Sequence, residues 1–337
     1  MAVEATAHAR AGLVGNPSDG YFGKTVSFII RNFTAKVTLY EHPEVEIVPS
    51  FQDRSRYNSV RDLVEDVRAQ GYYGGIRLMK AAIRKFVDYC DREGIALPDR
   101  NFSIRYRSDI PRRVGLAGSS ALVTATIRCL MEFYEVDIPK PLLPKLILSV
   151  ENEELGISAG LQDRVIQVYE GCVFMDFDKE HMETHGHGRY EEIDPALLPP
   201  LYVAYRTRLG EGSEVFHNNI RERWLNGDPE VVQAMADFAG YAQEVRDLLV
   251  AGRGAEIGEW LDQNFNRRRS LFKISQDNID MVERARSVGA SAKFAGSGGA
   301  IIGTYHGDEQ YEALIKAFED TDTEVFKPDI LGARIAL

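Results

Sequence analysis

Cysteine is scarce, with three in 337 residues, at positions 90, 129 and 172. Cysteines so few and so far apart exclude a disulfide framework and a zinc knuckle, and read as small core residues of a reducing compartment. Tryptophan is scarcer still; Trp224 and Trp260 read as helix packing in the second half. An excess of positive charge is also missing. Forty Lys+Arg face 51 Asp+Glu, a net charge of −11, which argues against a broad nucleic-acid-binding surface. Any phosphate handled by this chain needs a local backbone cradle. No apolar run reaches the ~20 residues that span a bilayer, and even LLPKLILSV (142–150) carries a lysine. The N-terminus bears charges where a signal peptide needs an apolar stretch. The expectation is a soluble, cytoplasmic chain with no nucleic-acid, membrane or protein partner.

At about 150 residues per domain the length suggests two domains. SFIIRNFTAKVTLY (27–40), VEIVPS (45–50) and FSIRYRSDI (102–110) have the β-branched content or alternation of strands. Ile76, Met79, Ile83, Phe86 and Val87 recur at helical spacing, as do Val123, Ile127, Leu130, Met131 and Tyr134 after a glycine-rich turn. A further helix is expected over 142–155 and a strand at GCVFMDF (171–177). The stretch 181–200 is polar and then proline-rich, and marks a boundary between residues 1–198 and 199–337. LYVAYRT opens the second part, where helices dominate. Strands interleaved with helices predict an α+β or α/β protein.

Three glycine-rich segments carry the chemistry: RAGLVGNPSDGYFGKTVS (10–27), PRRVGLAGSSA (111–121) and KFAGSGGA (293–300). A glycine-rich loop that runs into a helix aims unpaired backbone N–H groups at one spot, helped by the helix dipole, and so binds phosphate without many lysines. GLAGSSA followed by an amphipathic helix fits this, although it is neither a Walker loop nor G-x-G-x-x-G. A hydroxyl at such a cradle can ligate Mg²⁺, which prefers oxygen donors and needs a carboxylate to complete its site. Glu151, Glu153, Glu154 and Asp163 are the candidates, in SVENEELGISAGLQDRVIQVYEG. Asp163 stands apart because it lies between a glycine turn and the apolar Val165, Ile166 and Val168. His181, His185 and His187 are discounted as a metal site, since Gly186 and Gly188 break the helix their spacing would need.

The three loops, in this order, resemble those of the GHMP family of small-molecule kinases. Pro111, Gly115, Leu116, Ser119, Ser120 and Ala121 match the pattern P-x-x-x-G-L-x-S-S-A, with one additional residue before the serines. Arg10, Leu13, Gly15 and Asp19 match R-V-N-L-I-G-E-H-x-D, departing at Asn16-Pro17, and the third loop is one residue shorter than K-x-T-G-A-G-x-G-G. Within the family the chain is most similar to the glucuronokinase branch, through GNPSDGYFGKTVS, QGYYGGIRL, GLAGSSA, ELGISAGLQDRVIQVYEG, RERWLNGD and KFAGSGGA.

The resemblance implies an α+β fold with an N-terminal split β-α-β domain and a C-terminal ferredoxin-like domain. It implies transfer of the γ-phosphoryl group of ATP to the anomeric hydroxyl of D-glucuronate, with Mg²⁺. Asp163 would orient or deprotonate the sugar hydroxyl, beside Arg10. Gly115, Leu116, Ala117, Gly118, Ser119, Ser120 and Ala121 would hold the phosphates. Ser120 or Ser119 and Glu151 would hold the metal, with Glu154 as the alternative carboxylate. Asp19, Tyr21, Tyr72, Gly296 and Ser297 fall on the sugar side. A sugar acid also needs a cation for its carboxylate, and Arg268 and Arg269 match arginines of that branch; Arg164, Arg206 and Lys24 are further candidates. An anomeric kinase for another hexose or a phosphorylated heptose is the alternative, as is a silent sugar- or nucleotide-binding regulator on the same fold.

Overall fold

The computed structural model describes residues 1–50, 74–208 and 220–331. Tyr72, with the start of the QGYYGGIRL motif, lies outside the described residues. The chain forms two compact units that interleave in sequence. The first takes Met1–His8, Phe33–Ile110 and Gly118–Ala159; the second takes Ala9–Asn32, Pro111–Ala117 and Gly160–Leu337.

Two long paired strands, β1 (Ala2–Val14) and β2 (Lys24–His42), each lend residues to both units. The first unit adds β3 (Glu46–Ile47), α1 (Gly75–Glu93), β4 (Asn101–Ser108), α2 (Gly118–Tyr134) and α3 (Leu143–Ser149). β4 runs antiparallel to β2 with Val37 opposite Tyr106 and Leu39 opposite Ile104. Alternation puts Val37, Leu39 and Ile104 inside, and the helices bring Met79, Phe86, Val123, Ile127 and Leu130 to the same unit's core. Truncating one of these buried aliphatics to alanine costs about 2–5 kcal/mol. The helix expected over 142–155 is α3 followed by a π turn, Val150–Glu154. That widening matters below, since it fixes where each glutamate points.

The second unit begins with α4 (Gln162–Tyr169), β5 (Cys172–Asp176), α5 (Lys179–His185) and β6 (Arg189–Ile193). β5 pairs antiparallel with Lys24–Phe28 of β2 and with β6. The polar stretch 181–200 is thus structured: its polarity comes from β6, where only Ile193 is buried. Then follow β7 (Leu201–Arg206), α6 (Ile220–Leu225), α7 (Pro229–Val250), α8 (Gly258–Leu271), α9 (Gln276–Ser287), β8 (Lys293–Phe294), β9 (Ala300–Thr304), α10 (Gly307–Phe318) and β10 (Thr323–Phe326). α7 starts where sequence says it should, with Pro229 in its first turn and the Asp228 carboxylate accepting from the Glu230 N–H. The sheet β10-β7-β9-β8 is antiparallel throughout, and its core gathers Tyr202, Phe238, Phe265, Phe294 and Phe318. Among the described residues no helix is long and apolar enough to cross a membrane.

Candidate active site

In the second unit the three glycine-rich segments meet at Arg10. The residue lies near the end of β1, 4% exposed. Its Nε and Nη2 donate to the two carboxylate oxygens of Asp163 at 2.6 and 2.8 Å, a two-pronged fork. Its Nη1 donates to the carbonyls of Gly115 at 2.7 Å and Ala295 at 3.1 Å. One guanidinium therefore joins the first loop to the second, the third and the aspartate. The loops are nested as well as bonded: a Cβ on Gly296 would lie 2.2 Å from the Gly115 carbonyl oxygen, and Gly115 itself has φ +74°. The first excludes any side chain at Gly296, and the second favours glycine at position 115. Gln167 completes the frame by donating to the Ala117 carbonyl at 3.0 Å.

Asp163 sits in the first turn of α4, whose Val165, Ile166 and Val168 anchor the helix in the core. Burial alone pushes its carboxyl up. The charge and hydrogen bonds of Arg10, with Arg164 3.5 Å away, overcome this and hold it below the ordinary carboxylate range. It is an ionised acceptor in a fixed orientation.

Asp19 is its counterpart. It lies on a short 3₁₀ turn, Ser18–Tyr21, against Gly160, and among the described residues it accepts only from the Gln162 N–H, at 3.4 Å. Burial and the neighbouring Asp163 charge raise its carboxyl to about 6, against the weaker pull of the Gln162 N–H, Arg10 and Arg164. A half-buried carboxylate so poorly supplied with donors suits a ligand that brings hydroxyls.

The turn that carries Asp19 is held by residues that sequence reasoning missed. Lys293, 1% exposed, donates to the carbonyls of Gly12 at 2.6 Å and Phe294 at 2.7 Å, and to Asn16 Oδ1 at 2.7 Å. Three acceptors match the three N–H bonds of an ammonium, although burial and the charges of Arg268 and Arg10 pull it well below the usual lysine range. Asn264 accepts from the Gly15 N–H at 2.7 Å and donates to the Asn16 carbonyl at 3.1 Å. Asn16, the departure from the commoner first-loop pattern, is thus a structural tie. The available signal was Lys293 itself, a lysine among apolar neighbours just before a glycine loop.

In the first unit, α2 begins at Gly118, and Ser119 Oγ donates to Glu151 Oε1 at 2.8 Å. Glu151 is 1% exposed, turned inward by the π turn. Glu153 and Glu154 point the other way, to Lys85 at 2.7 Å and Arg84 at 2.6 Å. The geometry separates the two candidate carboxylates: Glu151 shares oxygens with the serine turn, and Glu154 is neutralised by an arginine. Ser120 and Ala121 are buried, as is the Leu116 side chain, while Ala117, Gly118 and Ser119 are partly exposed. Ser119 joins Ser120 in the candidate ligand set, and these hard oxygen donors fit Mg²⁺.

The consecutive arginines diverge. Arg268 is 4% exposed, donates to the Gly296 carbonyl at 2.9 Å, and packs between the rings of Phe272 and Phe294. Its Nε has no partner among the described residues, and burial brings the guanidinium down to about 10 against the pull of Asp19. Arg269 turns outward to Glu283, 2.9 Å away. Arg164 is buried on the Gly160 carbonyl at 2.9 Å, Lys24 donates to Gln243 at 2.8 Å, and Arg206 pairs with Asp277 at 3.2 Å. Ser297 is exposed, and a Cβ on Gly115 would lie 2.9 Å from its N–H. Tyr21 is half-buried against Trp224, centroids 5.5 Å apart.

Residues 77–171 match the model of the GHMP kinases N terminal domain. The galactokinase of Lactococcus lactis, solved complexed with galactose, has the same fold: TM-score 0.74 at 16% identity, covering 98% of this chain and 93% of that one. The chain belongs to the GHMP kinase family and has its two-domain α+β fold. More particularly, it is 46% identical over 301 residues to probable glucuronokinase 2 of Arabidopsis thaliana, covering 87% of this chain and 82% of that protein. It is 44% identical over 307 residues to glucuronokinase 1 of the same plant, covering 89% and 84%.

Proposed function

We propose that this protein is an ATP-dependent sugar-1-kinase that phosphorylates the anomeric hydroxyl of D-glucuronate, giving glucuronate 1-phosphate and ADP. The observation that carries this reading is the Arg10 fork, which ties an ionised Asp163 directly to the carbonyl of the phosphate-loop residue Gly115. Backbone N–H groups from Gly115 to Ala121 cradle the phosphates. The Asp163 carboxylate accepts the hydrogen bond of the C1 hydroxyl, aims its oxygen at the γ-phosphorus, and takes up the proton as the new O–P bond forms. Its lowered pKa makes it a weak base. That suffices, because phosphoryl transfer depends chiefly on positioning and charge stabilisation. Arg10 keeps Asp163 ionised until then.

Asp19 receives a ring hydroxyl and Tyr21 offers its face to the sugar. Gly296 and Ser297, nested on Gly115, hold the phosphate loop in place beside them. Arg268 contributes a fixed positive charge on the Asp19 side. Three buried guanidiniums, Arg10, Arg164 and Arg268, stand with Asp163 and Asp19 in the described cluster, a surplus of positive charge that supports an anionic sugar. Ser119, Ser120 and Glu151 would hold Mg²⁺, which when bound neutralises charge on the nucleotide phosphates. The three free cysteines, all buried, support a cytoplasmic setting.

The test is ADP release with glucuronate, galacturonate, galactose and mannose, and identification of the product by phosphorus NMR. Turnover with glucuronate and a phosphate on C1 is expected. Preference for a neutral hexose, or no ADP with any sugar, overturns the reading.

A further inference from the structure

The RERWLNGD motif opens on α6, and its first arginine has no role so far. On α6 to α9, Arg223, Arg246, Arg267, Arg269, Arg284 and Arg286 each lie within ion-pair distance of a carboxylate. Among the described arginines of these helices, Arg221 and Arg268 are the two that do not. Arg268 is interior and committed to the third glycine loop. Arg221 is exposed, and its setting is different.

The Arg221 guanidinium stacks over the rings of Tyr21 and Trp224, 5.5 Å from each centroid, and its Nη1 donates to the Gly20 carbonyl. Tyr21 and Trp224 meet edge to face at 68°. Aromatic faces hold a guanidinium in orientation without neutralising it. One N–H is spent on the loop, and the others stay available to a planar anion. The position is also apt. Tyr21 shares its short turn with Asp19, and the Tyr21 hydroxyl feels the charges of both Asp19 and Arg221. Trp224 packs against the second unit's core, as expected from sequence, and its exposed side is also half of an arginine mount on the sugar-side turn.

We propose that Arg221, mounted on Tyr21 and Trp224, is the specificity-determining residue that receives the carboxylate of the sugar acid while Asp19 takes a ring hydroxyl. Selection of an acid over a neutral hexose then resides on α6 and not in the Arg267–Arg269 run. This rests on the glucuronokinase reading above.

The experiment compares steady-state kinetics of the wild type, Arg221→Met, Arg221→Lys, Arg268→Lys and the same-helix control Arg223→Met, with calorimetric binding of glucuronate. Loss of a charge-assisted fork raises the glucuronate KM of Arg221→Met about 10- to 100-fold, with kcat and the ATP KM within about threefold of wild type. Arg221→Lys recovers part of the loss, because the charge survives without the fork, and Arg223→Met leaves the KM unchanged. An unchanged glucuronate KM in Arg221→Met overturns the proposal, as does a matching loss in kcat and ATP KM, which marks a structural clasp. A KM rise confined to Arg268→Lys also overturns it and moves the role inward. In all three outcomes the wild type still turns over glucuronate. A wild type that does not turn it over instead fails the underlying reading.

Discussion

Asp19 and Asp163 are both half-buried in the second unit, and desolvation pushes both carboxyls toward the neutral form, yet they end on opposite sides of the ordinary value. The difference is the reach of one arginine. Arg10 puts two N–H groups on Asp163, whereas Asp19 has a single backbone N–H at 3.4 Å and a negative neighbour. A half-buried carboxylate is thus either supplied or left wanting by the frame around it. The supplied one is fixed and charged, which suits orienting a reacting oxygen. The wanting one gains most from a ligand with hydroxyls.

The hardest test of the contrast is Asp163→Asn, which keeps the shape and removes the charge. We expect kcat to fall about 10³-fold with the ATP KM nearly unchanged, in single-turnover and steady-state assays. Equal losses in both would make Asp163 a structural partner of Arg10.

The next concerns Asp19→Asn, which should raise the sugar KM about 10- to 100-fold. In the wild type, kcat/KM for the sugar should drop as pH falls through about 6, because Asp19 is then protonated; the variant should lose that limb. Stability moves the other way. The folded chain holds the Asp19 proton more tightly than the unfolded one, so ionising it costs stability as pH rises from 3.8 to about 6. Asp163, with its pKa lowered, contributes stability above the ordinary carboxylate value and loses it as pH falls through the lowered one. Thermal midpoints across this range should therefore flatten in Asp19→Asn.

The smallest effect is expected in the first unit. There Glu151, more deeply buried than either aspartate, meets a hydroxyl. Glu151→Gln should raise the Mg²⁺ concentration for half-maximal rate by about 10-fold, read by metal titration at saturating ATP. An unchanged requirement would move the role to Glu154.

Much of this was legible in sequence where the signal is local. Glycines mark the loops because few other residues fit, and Arg10, Asp19 and Asp163 stand at fixed offsets from them. What was illegible depends on which way a side chain turns. Arg268 and Arg269 are neighbours in sequence, but about 100° of helix rotation sends one into the core and the other to Glu283. Glu151 and Glu154 were indistinguishable until a π turn separated them. The Lys293–Asn16–Asn264 ties join segments about 250 residues apart, and no spacing rule reaches that far. Within 181–200, β6 has one buried residue, so an edge strand there carries no alternating signal in sequence.

The nesting of Gly296 on Gly115 leaves the two loops one shared volume. A side chain on Gly296 would press on the Gly115 carbonyl, and one on Gly115 would press on the Ser297 N–H. Because Arg10 bonds to that same Gly115 carbonyl, a change as small as a methyl group in the third loop would be felt at the guanidinium that holds Asp163.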